Sequence, residues 1–183
     1  MTPDGRGQLV LHMLRPRSLQ GAPIQATLLE LLMAHGANVN QAAENGNTAL
    51  HVMVQNLRQT AAAKCLLDHG ADIRLTNAIG ETAFHAAARG FLLDRTRCDE
   101  AYKRATVEDK VRAQDDMMRV LQAAAGETTN AMMSQQNIEG KTPRELLEET
   151  RRQWQEMEQR MRGGAGRARG RGRGCGRGRL LRG

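Results

Sequence analysis

The residues whose types could do acid–base, nucleophilic or metal chemistry in this 183-residue chain are five histidines and three cysteines. A nucleophile needs a base beside it, and a zinc centre needs closely spaced Cys or His ligands. Cys65, Cys98 and Cys175 are odd in number and far apart, with no Cys-x-x-Cys pair. Cys65 falls within an apolar helical pattern and reads as a small core hydrophobe. Cys98 and Cys175 fall in polar segments with no evident histidine partner. No Gly-x-Ser-x-Gly, no glycine-rich loop ending in Lys-Ser or Lys-Thr, and no His-Glu-x-x-His occurs. The histidines, His12, His35, His51, His69 and His85, all fall at two positions of a repeating pattern. The expectation is no catalysis, no metal and no cofactor.

Charge is the next chemical signal, and it is segregated. Of 27 Lys and Arg, eight lie in residues 162–183 with nine glycines and no acidic residue, leaving 19 basic against 20 acidic residues in 1–161. The net +7 is therefore a neutral body plus a +8 tail. A segment of Arg and Gly cannot bury enough surface to offset its ordering entropy, so disorder is expected from about Gly163. Arg162-Gly163-Gly164 and the Arg-Gly series at 169–174 resemble RGG-type RNA-binding segments, though without their interleaved aromatics. That resemblance makes Arg162, Arg167, Arg169, Arg171, Arg173, Arg177, Arg179 and Arg182 candidates for salt-sensitive contact with RNA or another polyanion.

The elements that position these groups follow from a repeat. His35-Gly36-Ala37-Asn38-Val39-Asn40 recurs as His69-Gly70-Ala71-Asp72-Ile73-Arg74, and Gly46-Asn47-Thr48-Ala49-Leu50-His51 as Gly80-Glu81-Thr82-Ala83-Phe84-His85. Both pairs are offset by 34 residues. Weaker copies are Gly7-Gln8-Leu9-Val10-Leu11-His12 and Gly140-Lys141-Thr142-Pro143. With these blocks the chain resembles the ankyrin repeat family, whose unit of about 33 residues is a β-turn finger followed by two antiparallel helices. The resemblance implies an all-α solenoid, with units beginning near Asp4, Ala43, Asn77 and Asn137. It also makes the histidine of each Thr-x-x-His block a structural hydrogen-bonder between units.

Local chemistry agrees. Thr48 is placed to cap a helix over 49–56, and a second over 60–69 carries Ala63, Leu66 and Leu67, ending at Gly70 as a C′ glycine. Ala49 and Ala83 stand where the family has proline; alanine keeps the helix but loses the preset φ. The first unit has Leu9-Val10 in place of Thr-Pro and an inter-helix loop around residues 15–23. Thr82 to Thr142 spans about 26 residues more than the 34 between the central threonines, which places an insertion near 91–114. Thr106 with Asp109 caps a helix whose apolar positions are Val111, Met117, Met118, Leu121 and Ala125. Thr142-Pro143-Arg144-Glu145 opens a last helix with Leu146, Thr150, Trp154, Met157 and Met161 on one stripe and i,i+4 pairs Glu148–Arg152 and Glu156–Arg160.

Four aromatic residues, Phe84, Phe91, Tyr102 and Trp154, leave a core of aliphatic and alanine side chains and exclude an aromatic-rich sandwich. No run approaches the roughly 20 apolar residues of a membrane span. The expected organisation is a repeat domain over 1–161 and a disordered tail over 162–183, in an intracellular monomer, cytoplasmic or nuclear, without membrane contact. By register, the resemblance implies a protein partner at the finger tips and inner helices. The candidates are Ala42, Glu44, Asn45, Asn47, Gln55 and Asn56 in the second unit, and Thr76, Ala78, Ile79, Glu81 and Arg89 in the third.

Overall fold

The structure, a computed structural model, describes residues 24–92 and 105–167, with side chains as far as Arg162. Through these residues run α1 Ala26–Ala34, α2 Ala49–Gln55, α3 Thr60–Asp68, α4 Ala83–Ala88, α5 Val107–Ala125, α6 Thr129–Met133 and α7 Pro143–Arg167. A 3-10 turn, Gly126–Thr128, joins α5 to α6. Outside the described residues lie the copy of the repeat at 7–12, the loop at 15–23, Cys98 with the middle of the insertion, and residues 168–183.

The helices form two layers. α2, α4 and α7 contact one another in series on one side, α1, α3 and α5 on the other, and α2 pairs with α3 as α4 pairs with α5. Helices six to nine residues long are too short to be stable alone in water, so each depends on the layer opposite. The buried interior is aliphatic, with Leu29, Leu50, Met53, Leu57, Leu66, Met117 and Leu121 around Phe84. Every residue of α4 is buried, which explains its alanines: four of its six residues are alanine, small enough to fit between neighbours on both sides. Cys65 is buried within α3.

Helix ends are set by small local devices. Gly36 and Gly70 adopt φ of +87° and +86° just past α1 and α3, the left-handed conformation that a C′ residue needs. Beside them, Nδ1 of His35 donates to Leu31 O and Nδ1 of His69 to Cys65 O, each at 2.8 Å, satisfying carbonyls the helices leave free. Thr106 and Asp109 exchange hydrogen bonds at the start of α5, as do Thr142 and Glu145 at α7. Those hydrogen bonds from Thr142 also hold the Glu145 carboxyl below the usual carboxylate range.

Three expectations change in detail. The insertion window 91–114 contains the first two turns of α5, which at 19 residues is ten longer than α3, so the second helix itself absorbs part of the extra length. α7 continues to Arg167, past the Gly163 at which composition ends the ordered chain. The pairs Glu148–Arg152 and Glu156–Arg160 do not form. Among the described residues the ion pairs of α7 are instead Lys141–Glu149, Arg151–Asp115 and Glu158–Arg162. Two of the three tie the helix to a neighbouring element, contacts unavailable to an isolated helix.

Candidate partner-binding face

The face is built on three short hairpin turns, at residues 43–47, 77–81 and 137–141. In each, the first N–H donates to the fifth carbonyl: Ala43 to Asn47 at 2.9 Å, Asn77 to Glu81 at 2.9 Å, Asn137 to Lys141 at 3.0 Å. Asn77 and Asn137 add side-chain bonds, their Oδ1 accepting two backbone N–H groups each, the local bonding for which asparagine is favoured in turns. The first turn lacks this at Ala43; Asn45 Oδ1 accepts from Asn47 N instead.

Main-chain hydrogen bonds fix the fingers side by side. Ala78 N donates to Asn45 O and Ile138 N to Ile79 O, both at 3.1 Å. Gly46 must be glycine: its φ is +74°, and a Cβ there would lie 2.6 Å from Ala78 N. Asn77 Nδ2 reaches back to Asn47 Oδ1 at 2.9 Å.

The two central histidines lock this ladder to the helices. Nδ1 of His51 lies 2.9 Å from Thr48 Oγ1 and accepts from Thr48 N. Its proton therefore sits on Nε2, which donates to Glu81 O of the next finger at 3.0 Å. His85 repeats the arrangement with Thr82 and Lys141 O. Burial, outweighing the carbonyls they bond, lowers the pKa of both rings and keeps them neutral.

Against this frame the candidate residues separate. Ala42, Glu44, Asn45, Gln55, Thr76, Ala78, Ile79 and Arg89 are exposed and Asn47 half-buried. Asn56 and Glu81, expected on the surface, are buried. Asn56 turns inward because its strand segment pairs with Phe91: Leu57 N donates to Phe91 O and Phe91 N to Gln55 O. Its Oδ1 then caps Arg58 N, while Nδ2 has no partner among the described residues. Glu81 is drawn in by Asn137 Nδ2 and by Arg89, whose guanidinium lies between Glu81 at 3.4 Å and Glu139 at 2.6 Å. The candidate set also missed Ile138 and Glu139, which flank the third finger tip; Ile138 is 72% exposed. Counting four residues back from Thr142, as Ala78 lies four before Thr82, reaches Ile138.

Of the tail arginines, Arg162 is exposed and paired with Glu158 at 3.2 Å, and Arg167 ends α7. Arg169, Arg171, Arg173, Arg177, Arg179 and Arg182 lie outside the described residues. Burial, with Glu30 and Asp68 nearby, pushes the Cys65 thiol up, away from the thiolate a nucleophile needs. Among the described residues, no three His, Cys, Asp or Glu side chains gather as a metal site, and no helix is long and apolar enough to cross a membrane.

A family model described as ankyrin repeats, in three copies, matches residues 22–96. No curated protein matches the sequence. Among solved structures, the crystal structure of the ankyrin repeat domain of Bcl-3, described as a unique member of the IkappaB protein family, is 19% identical with a TM-score of 0.48. The match covers 75% of this chain and 49% of that one, so the chain spans about half the length of that structure.

Proposed function

Because the array at residues 22–96 belongs to the ankyrin repeat family, whose members generally serve as protein-interaction modules, we propose that this chain binds a partner protein, without catalysis, through its finger tips and the exposed edge of its inner helices. The observation that carries this is the row of tip residues itself. Asn45, Ala78, Ile79 and Ile138 stand exposed on fingers whose main chains are hydrogen-bonded together, so an apolar surface is held rigid in water. Rigid, pre-ordered contacts lower the entropy cost of association. The polar groups around them are spent inside the array: His51, His85, Thr48, Thr82 and Glu81 all serve its own fingers.

The experiment is affinity capture from a cell extract with immobilised full-length chain and its Ile79→Glu/Ile138→Glu variant. The variant is expected to lose its captured partners by more than about tenfold while its helical circular dichroism is unchanged, since burying an unpaired carboxylate at an interface costs several kcal/mol. Leu31→Glu, on the exposed side of α1, should capture like the parent. Undiminished capture by the finger variant would put the contact surface elsewhere.

A further inference from the structure

We infer that the finger-tip row takes an extended peptide segment in which two aliphatic side chains on one face are flanked on both sides by Lys or Arg. This deepens the partner-binding reading and rests on it. Along the tips, the order of side chains is Glu44, Ala78, Ile79, Ile138, Glu139, with adjacency fixed by the Asn45–Ala78 and Ile79–Ile138 main-chain hydrogen bonds. Ile79 is 39% and Ile138 72% exposed, so the middle of the row is aliphatic and open. The fingers are joined tip to tip by these main-chain hydrogen bonds into a single row, a linear arrangement that suits an extended chain better than a helix.

Both ends of the row are negative. Glu44 is exposed and makes no ion pair among the described residues. At the other end Arg89 is shared between Glu81 and Glu139, so three ionised groups leave one net negative charge, and the Glu139 side chain is half exposed. Lys141, two residues beyond Glu139 on the same finger, is paired with Glu149 at 2.6 Å and adds no net charge. An acidic or neutral partner would meet repulsion or uncompensated desolvation at the ends; a basic one is attracted.

Spacing sets the pattern. Packed helices lie about 8–10 Å apart, so two finger steps from Glu44 to Glu139 come to roughly 16–20 Å. An extended chain rises about 3.3 Å per residue with alternate side chains on one face. The matching segment therefore has basic residues about six apart, with aliphatic residues at the two same-face positions between them.

The test uses the full chain and three labelled, end-capped heptapeptides: Lys-Ser-Leu-Ser-Leu-Ser-Lys, its Glu-flanked counterpart, and one with serine in place of both leucines. Fluorescence anisotropy should show the Lys–Leu peptide binding at least about tenfold more tightly than either control. Glu44→Gln/Glu139→Gln should weaken it about fivefold or more and remove most of its salt dependence, and Ile138→Ser should weaken it about fivefold at unchanged salt dependence. Absence of binding, equal binding of the acidic or serine peptide, or indifference to the paired glutamine substitutions would each overturn the inference. If capture from extract still depends on Ile79 and Ile138 in that event, the partner-binding reading stands and only the basic–aliphatic chemistry falls. If capture is also indifferent to them, both fall.

Discussion

His51 and His85 show how much a single side chain carries here. Each accepts a hydrogen bond at Nδ1 from the residue that caps its own helix and donates from Nε2 to the next finger. Only the neutral ring can do both, since a protonated imidazole has no lone pair for the threonine. Burial lowers both pKa values below the ordinary 6.5. The unfolded chain therefore binds more protons than the folded one as pH falls through that range, and the linkage sign follows. Stability is full above about pH 6.5 and declines as pH drops through the lower, folded values. The urea midpoint should be flat from pH 8 to about 6.5 and fall by pH 5.5. That window lies above the ordinary range of carboxylates, and Glu145 and Glu149, held lower still by Thr142 and Lys141, titrate further down. His51→Ala should cost about 1–3 kcal/mol at pH 7.5, the usual penalty of stranding buried polar partners, and should shrink the acid slope. A slope unchanged in both His51→Ala and His85→Ala would assign the acid sensitivity to other groups.

At the scale of elements, the last helix is fastened by a polar group inside the stack. Gln114 is fully buried on α5; its Nε2 donates to Ala88 O at the end of α4 and its Oε1 accepts from Arg151 Nε on α7, both at 2.8 Å. One amide thus joins three helices. Gln114→Leu would strand the Ala88 carbonyl and one arm of Arg151, and should cost about 1–3 kcal/mol in urea unfolding. Asp115→Asn removes only a half-exposed ion pair with the same arginine and should cost less than about 1 kcal/mol. Equal losses would mean that charge pairing, rather than the amide, holds α7. Sequence pattern foretold α5 and its cap but not this role, although Gln114 lies in register with Val111, Met118 and Leu121 and so sits in the apolar stripe. The same distinction runs through the site. Finger positions and histidine roles were legible because they repeat at a fixed offset. The burial of Asn56 and Glu81 was not, because Phe91 and Asn137, which draw them in, lie 35 and 56 residues further along the chain. Register reports where a residue stands in its unit, and it is silent on partners brought in by the next one.

Over the whole molecule, stability in a stacked array is a sum of unit and nearest-neighbour terms, so it should be unevenly distributed. α4 touches α2 on one side and α7 on the other and is buried along its entire length. α7 begins as part of that stack, with Leu146 buried and Leu147 and Trp154 packed against the core, Trp154 also lying under Lys110. Beyond Trp154 it leaves the stack: Met157 and Met161 are 49% and 42% exposed, and their neighbours Glu156, Gln159 and Arg160 are exposed as well. A helical end with so little packing is held by propagation from the packed half and by surface pairs such as Glu158–Arg162, worth a few tenths of a kcal/mol. Amide exchange should follow this geometry. Amides of 83–88 should exchange only with global unfolding, those of 146–151 nearly as slowly, and those of 156–162 faster by about two orders of magnitude or more. Mass-spectrometric hydrogen exchange on the free chain measures all three. Gln114→Leu should then raise exchange over 146–151 toward the rate of 156–162 while leaving 83–88 nearer its original protection, since it is the packed half of α7 whose fastening it removes. Protection of 156–162 equal to that of α4 in the free chain would mean that the end of α7 is held by contacts beyond those of its own stack.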